Sequence, residues 1–368
     1  MGNRVAGSGP GLPRQRKKGR TGVYKGQKVY DVHGHVTAPD TYRAQLALLL
    51  ASNTASARSV LQQPNDRRPP ALQDENFKQT VERQHLNYMT ERNIDVQIIG
   101  PRPFMMLGWM QPHLLPAWTR LTNDAIGKQC EYFPDRFLGA AQLPQNSYAP
   151  DASHMLDEID RCVKEWGFIA VYVSPDPTGK RETPGMHEPY WYPLYEKCQR
   201  ENLPIIVHGT NNLDPRIGVI PQNYQTGFLI EQWLCTQLMG HSDVFDKFPE
   251  LKVIVCHCGG APSRFAPTDP HNPQRDLSKN MFYDTCAYEP TFLECCIKQK
   301  GVSQMLFGTE APGSGRHVDP RTGRSGDNVI PTLEELSILT DEDRMNIIHN
   351  NPARVVPAFE KVAAGAAR

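Results

Sequence analysis

Short apolar and β-branched runs recur along the chain. They are KVYDV (28–32), DVQIIG (95–100), FLGAAQL (137–143), FIAVYV (168–173), PIIVH (204–208), KVIVCH (252–257), MFYDT (281–285) and QMLFGT (304–309). Between them lie stretches with apolar residues at three- and four-residue spacing, such as MLDEIDRCVKEW (155–166) and WYPLYEKCQREN (191–202), the signature of amphipathic helices. Near-continuous apolar strands alternating with such helices indicate a parallel sheet covered on its outside. Eight units in one chain favour a (β/α)8 TIM-like barrel over an open, doubly wound sheet. The first run is not followed by a Gly-rich dinucleotide fingerprint, which weakens the open sheet further.

The same pattern divides the chain. Residues 1–26 are rich in Gly, Pro, Lys and Arg and have almost no apolar periodicity, so a disordered basic tail is expected there. The barrel domain spans 27–360, and 361–368 form a short C-terminal tail. Residues from about 36 to 80 are an insertion after the first strand, expected to overhang the catalytic face as a lid. A closing helix is expected over 332–356, with His349 in a structural role and the Asn351–Pro352–Ala353–Arg354 turn near its end.

Composition narrows the function classes. Lys plus Arg and Asp plus Glu are both 40, so no net field draws the chain to nucleic acid or an anionic membrane. No apolar run is long enough to span a bilayer, and no signal-peptide pattern opens the sequence. Nine cysteines without small-scaffold spacing fit free thiols in a reduced, cytoplasmic compartment. Cys256 and Cys258 flank His257, but without a second cysteine cluster they read as core packing rather than a thiolate zinc site.

A barrel places its chemistry at the C-terminal ends of its strands. There the sequence has His33 and His35 on the first strand, His208 on the fifth, His257 on the sixth and Glu310 on the eighth. Residues i and i+2 of a strand share a face, so His33 and His35 can both aim at the barrel axis, and Gly34 between them leaves neighbouring elements room. His33, His35, His208 and Glu310 make a mixed N/O site for one divalent ion, Zn2+ first, with Mn2+ or Fe2+ also fitting. Such an ion acidifies a bound water. His257 is left to hydrogen-bond or shuttle the proton. Asp31 and Asp284 also sit at strand ends. Asp31 is expected to orient a histidine or loop, and Asp284 is a candidate catalytic group.

On DVHGH (31–35), IIVHG (205–209), VIVCHCGG (253–260), FYDT (282–285) and FGTEAP (307–312), the chain resembles the amidohydrolase superfamily. More narrowly, it resembles the branch containing aminocarboxymuconate semialdehyde decarboxylase. Most of that branch has aspartate where this chain has Glu310. The glutamate, followed by GSGRHVDPRTGRSGDN, is similar to the 4-oxalomesaconate hydratase subgroup, as are IGPRPFMM (99–106), FPDRFLGAAQLPQ (133–145) and SPDPTG (174–179). The resemblance implies a metal-dependent lyase acting on a carboxylate-rich intermediate of aromatic breakdown, in a homodimer or higher homo-oligomer. Two features depart from the pattern. HCGG replaces HGGG after the sixth strand, and the tyrosine expected in the loop after His208 is displaced to Tyr224.

A small carboxylated substrate needs cationic forks. Arg102, Arg216 and Arg264 all follow strands on the expected catalytic face, and Tyr224 joins them as a substrate-binding candidate. Glu310 can serve as metal ligand or as base. Hydration is the leading reaction. Decarboxylation and C–C bond hydrolysis use the same site, and a non-catalytic binding barrel is the alternative of another class. Phe104, Met105, Met106 and Trp109 read as packing rather than as a substrate platform.

Overall fold

The computed structural model describes residues 24–37, 74–210, 214–220, 223–264 and 276–365. Eight strands form one parallel sheet in sequence order: β1 (Tyr30–His35), β2 (Val96–Gly100), β3 (Phe137–Gln142), β4 (Ala170–Val173), β5 (Ile205–Val207), β6 (Val253–Val255), β7 (Met281–Asp284) and β8 (Met305–Leu306). Val32 N–H donates to the Phe307 carbonyl and Glu310 N–H to the His33 carbonyl, drawing the end of the sheet back onto its first strand. The (β/α)8 barrel expected from the sequence is the observed fold. The strands are shorter than their apolar runs, because β5, β6 and β8 stop before the residues that carry the chemistry.

The strands are buried on both faces, and successive residues alternate between an outer and an inner cluster. Ile205 and Val207 pack against the helices while Ile206 points to the barrel interior, and Val253, Ile254 and Val255 repeat the pattern. The interior cluster contains Tyr30, Val32, Ile98, Tyr172, Ile254, Phe282 and Leu306, and it is closed by Val355, Val356 and Phe359. Tyr30 stacks between Phe359 and His349, with ring centroids 4.7 and 4.9 Å away. His349 Nδ1 donates to the Lys28 carbonyl, the structural role expected of it.

The helices Leu156–Trp166 and Tyr192–Glu201 match the periodic stretches and end on left-handed residues, Gly167 and Asn202. The closing helix differs from expectation. It breaks into Val329–Glu335, Asp341–Met345 and Asn351–Val355, with a π-turn between the last two. The break at 336–340 has a local cause: Thr340 and Asp343 form a reciprocal capping box that starts a new helix. Tyr24, within the stretch expected to be a tail, is buried, and Lys25 pairs with Asp341. The lid expected over 36–80 and the tail expected over 1–26 lie mostly outside the described residues, as do the last three residues. Among the described residues, no helix is long and apolar enough to cross a membrane.

Candidate active site

The site begins with a fault in β1. Asp31 pairs with Gln97 and Gly34 with Ile99, so three steps on β1 match two on β2. Asp31 reaches Gln97 and Thr309, whereas Tyr30 and Val32 line the interior. A strictly alternating strand would send His33 and His35 the same way as Asp31. The extra residue turns both imidazoles into the barrel, a recognised use of a β-bulge. Gly34 is required here, since a Cβ would lie 2.3 Å from Gln97 Cδ.

Three imidazoles are each anchored from behind. His33 Nδ1 lies 2.6 Å from Asp284 Oδ2, His35 Nδ1 lies 2.8 Å from the Pro101 carbonyl, and His208 Nδ1 lies 2.5 Å from the Gly209 carbonyl. Carbonyl oxygens and an ionised carboxylate only accept, so each Nδ1 donates and each Nε2 carries a free lone pair. Those three Nε2 atoms are fully buried and have no hydrogen-bond partner among the described residues. The rings stand 5.1–5.2 Å apart, centroid to centroid. Glu310 Oε1 sits 3.4 Å from His35 Nε2, and Oε2 sits 3.7 Å from His257 Nε2. Ligand atoms of His33, His208, His257 and Glu310 all lie within 4.8 Å of one another.

Buried polar atoms without partners are costly, and three converging lone pairs beside a carboxylate are a cation's donor set. The electrostatics agree. Burial, with Glu310 opposing and His33 adding, pushes His35 down to about 4. Burial, then the charges of His257, His33 and His35, holds His208 well below its ordinary value. Burial also works against a charged His33, but Cys256, Tyr172 and Asp284 outweigh it and raise its basicity. Burial pushes Glu310 up, yet His257 and His35 overcome it and keep the carboxylate ionised. The residues fit a divalent ion.

The two groups beyond β6 and β8 sit on turns rather than strands. His257, Cys258, Gly259 and Gly260 all have positive φ, between 51° and 88°. The two glycines of HCGG let this turn touch its neighbours: a Cβ on Gly260 would lie 2.3 Å from the Leu229 carbonyl oxygen. Cys258 N–H donates to Asp284 Oδ1 and fixes the turn. Cys258 packs in the outer cluster and Cys256 in the interior one, where its Sγ also lies within 4.8 Å of ligand atoms of His33 and Asp284. His257 Nδ1 meets the amide of Gln232 at 3.0–3.1 Å, and its side chain keeps 12% exposure. Glu310 has φ 57°. Its Oε2 accepts from Tyr288 Oη at 2.8 Å and from Ser314 Oγ at 2.7 Å.

Asp284 is wholly buried behind His33, with Oδ1 accepting from the backbone of Cys258 and Cys286. Asp31 bonds the His33 backbone, Thr309 and Gln97, the orienting role expected of it. Arg102 lies close enough to His35 to lower its basicity, and it donates to the Val36 carbonyl at 2.9 Å. Arg216 is exposed and paired with Asp214, and Arg264 is exposed. The Tyr224 side chain lies outside the described residues. Met105 and Met106 are buried as packing residues, whereas Phe104 and Trp109 are each 42% exposed.

Sequence reasoning missed Tyr172, Gln232, Tyr288 and Ser314. Tyr172 stacks on His208, and its buried hydroxyl has no partner among the described residues. A glutamine in an apolar helical stretch, and a serine four residues after the strand-end glutamate, were the signals available for Gln232 and Ser314.

The amidohydrolase family model matches residues 30–358, nearly the whole described chain. The chain belongs to the amidohydrolase family. This amidohydrolase is 29% identical over 352 residues to 2-keto-4-carboxy-3-hexenedioate hydratase of Sphingobium sp. (strain NBRC 103272 / SYK-6), covering 90% of this chain and 97% of that one. It is 22% identical to 2-amino-3-carboxymuconate-6-semialdehyde decarboxylase of Dictyostelium discoideum, over 68% of this chain and 70% of the relative. Among solved structures, 4-oxalomesaconate hydratase of Rhodopseudomonas palustris superposes with a TM-score of 0.76 at 26% identity, covering 92% of this amidohydrolase and 98% of that chain. A dihydroxybenzoic acid decarboxylase of Polaromonas sp. JS666, determined with bound manganese and 2-nitroresorcinol, shares the fold at TM-score 0.60 and 20% identity, over 90% and 97% of the two chains.

Proposed function

We propose that this amidohydrolase is a divalent-metal-dependent hydratase of a small, unsaturated polycarboxylate of the kind produced by aromatic ring cleavage. The observation that carries the metal is the convergence of three partnerless Nε2 atoms, each with its Nδ1 held by an acceptor. Hydration is supported by likeness to a hydratase over 90% of this chain, against 68% for the Dictyostelium decarboxylase.

In this reading His33, His35 and His208 hold the ion through Nε2, and Glu310 stands beside them through Oε1. When bound, the ion supplies Lewis acidity that acidifies water and stabilises developing negative charge. Zinc fits this donor set, and manganese or iron are the alternatives. Glu310, kept ionised by His257 and His35, can take a proton from water that adds to the C=C bond. His257 sits at the exposed rim of the cluster, held by Gln232, and exchanges a proton with the substrate. Asp284 keeps His33 in its donating tautomer. Arg102 is the cation beside the cluster suited to a substrate carboxylate, with Arg264, Arg216 and Tyr224 as further binding groups. The substrate is thus a small carboxylate, and assembly as a homodimer or larger homo-oligomer in the cytoplasm completes the proposal.

The test is incubation of metal-loaded protein with 4-oxalomesaconate and related ring-cleavage acids, followed by mass spectrometry. Gain of one water is expected. Loss of CO2 would turn the assignment to a decarboxylase, and cleavage into two acids would turn it to a C–C hydrolase. Ligand binding without turnover would leave a binding barrel.

A further inference from the structure

Glu310 is the one group whose role the site leaves divided, and the structure surrounds it with two hydroxyls that no other step uses. Tyr288 Oη and Ser314 Oγ both lie within 2.8 Å of the same oxygen, Glu310 Oε2. Each hydroxyl has one hydrogen, and a carboxylate oxygen can only accept, so both hydrogens are directed at Oε2. The 3.2 Å between the two hydroxyls is then a packed contact rather than a third bond. Cys286 Sγ lies 3.5 Å from Tyr288 Oη and can donate to it, which further commits the phenol hydrogen to the glutamate.

With two charge-assisted donors on Oε2, that oxygen's lone pairs are largely occupied, and Oε1 is left facing His35 Nε2 at 3.4 Å. The pair also resists rotation of the carboxylate. Its supports are rigid. Tyr288 follows β7, and its ring is enclosed by the loop after Glu310. A Cβ on Gly315 would lie 2.7 Å from the Tyr288 ring, and one on Gly326 would lie 2.8 Å from Tyr288 Cβ. That loop is tied down at its far end, where buried Asp327 accepts from Tyr88 at 2.6 Å and Arg92 at 3.0 Å. The backbone of Glu310 is itself left-handed, a conformation that a non-glycine residue keeps only when its surroundings fix it.

We propose that Tyr288 and Ser314 are a positioning pair that presents Glu310 to the metal site through one oxygen, Oε1. This rests on the metal-site reading above. The pair reserves Oε2 from the ion, so Glu310 offers a single oxygen beside the three imidazoles. A longer glutamate at a strand end can swing or chelate through both oxygens, and the two hydroxyls remove that freedom.

The test compares Tyr288→Phe, Ser314→Ala and Glu310→Gln, each alone, and the first two again in the Glu310→Gln background. Zinc affinity is read by chelator competition, and kcat and KM are read separately with 4-oxalomesaconate. Losing an outer partner of a metal-site group costs about 10–100-fold in metal affinity or activity, so each single hydroxyl deletion is expected to fall in that range, in zinc affinity or in kcat, with KM little changed. In the Glu310→Gln background the same deletions are expected to add under about threefold, because groups acting through one residue are not additive. Ser314→Thr, which keeps the hydroxyl, is expected to restore most of the loss. Silent deletions, or full additive losses in the Glu310→Gln background, overturn the pair's role while leaving the metal site intact. A melt of each variant separates folding from positioning: lower thermal stability with unchanged zinc affinity and kcat also overturns it. Wild-type protein that binds neither zinc nor manganese defeats the metal-site reading instead.

Discussion

The two halves of the site are built differently. His33 and His35 stand on a strand, and His208 directly follows one. Each has its rear nitrogen bonded. His257 and Glu310 stand on left-handed turns, and each is aimed by side chains from other segments: Gln232 for the histidine, Tyr288 and Ser314 for the glutamate. Rigid backbone positions the three groups proposed to hold an ion in place. Constrained turns position His257, the proposed proton exchanger, and Glu310, proposed to stand beside the ion and to take a proton from water, and the neighbours that aim them can be altered separately.

The difference can be broken most severely on the strand side. His208→Ala removes one of the three converged nitrogens. Metal content measured by mass spectrometry is expected to drop from stoichiometric to trace. Hydration is expected to fall by at least about 10³-fold, since the ion's share of charge stabilisation is several kcal/mol. Metal retained at wild-type level in that variant would sink the division. On the turn side, His257→Gln is expected to keep the metal and lower kcat by about 10²–10⁴-fold, the range for losing a general acid or base. If metal content fell with kcat, His257 would belong with the ligands.

A smaller effect tests the bulge. Gly34→Ala drives a Cβ into Gln97, and overpacking of this kind costs about 1–3 kcal/mol, read as a lower urea midpoint. An unchanged midpoint would mean that the bulge shifts freely. The smallest effect concerns His85, which lies buried behind β1 and bonds Gln97, Thr37 and Gln129. Burial, against the Gln97 hydrogen bond, pushes its pKa from 6.5 down to about 3. The folded protein keeps it neutral where the unfolded chain takes up a proton. Its share of stability is therefore full above pH 6.5 and declines as pH falls towards 3, by at most about 1.4 kcal/mol per pH unit. Urea unfolding at pH 7 and pH 5 should show a steeper loss in wild type than in His85→Gln. Parallel losses would show that His85 is not held neutral.

The barrel and the main site residues were legible in the sequence for the same reason. Strand ends in a parallel barrel converge, so residues 33, 35, 208, 257 and 310 could be brought together without any loop being known. What could not be read were features that depend on register and on loop path. The bulge depends on how β1 pairs with β2, and DVHGH alone carries no sign of an extra residue. Tyr288 is an ordinary residue in the short connection after β7 and Ser314 one in a Gly-rich loop, and only the wrapping of 313–327 around the tyrosine brings them to Glu310. The same holds for the closing helix, where Thr340 and Asp343 cut a periodic stretch that otherwise reads as continuous.

The bonds that draw the last strand onto the first also bear on how the molecule is made. Thr309 and Asp31 are 278 residues apart, and Glu310 N–H caps the His33 carbonyl. During synthesis, His33 and His35 leave the ribosome long before Glu310 exists. His35 Nε2 has no carboxylate beside it until Glu310 has been made and the end of the sheet has returned to β1. On the proposed reading, a complete metal centre is therefore a certificate of a finished barrel. A nascent chain stalled before residue 310 should have no such centre, however much of its sheet has already formed.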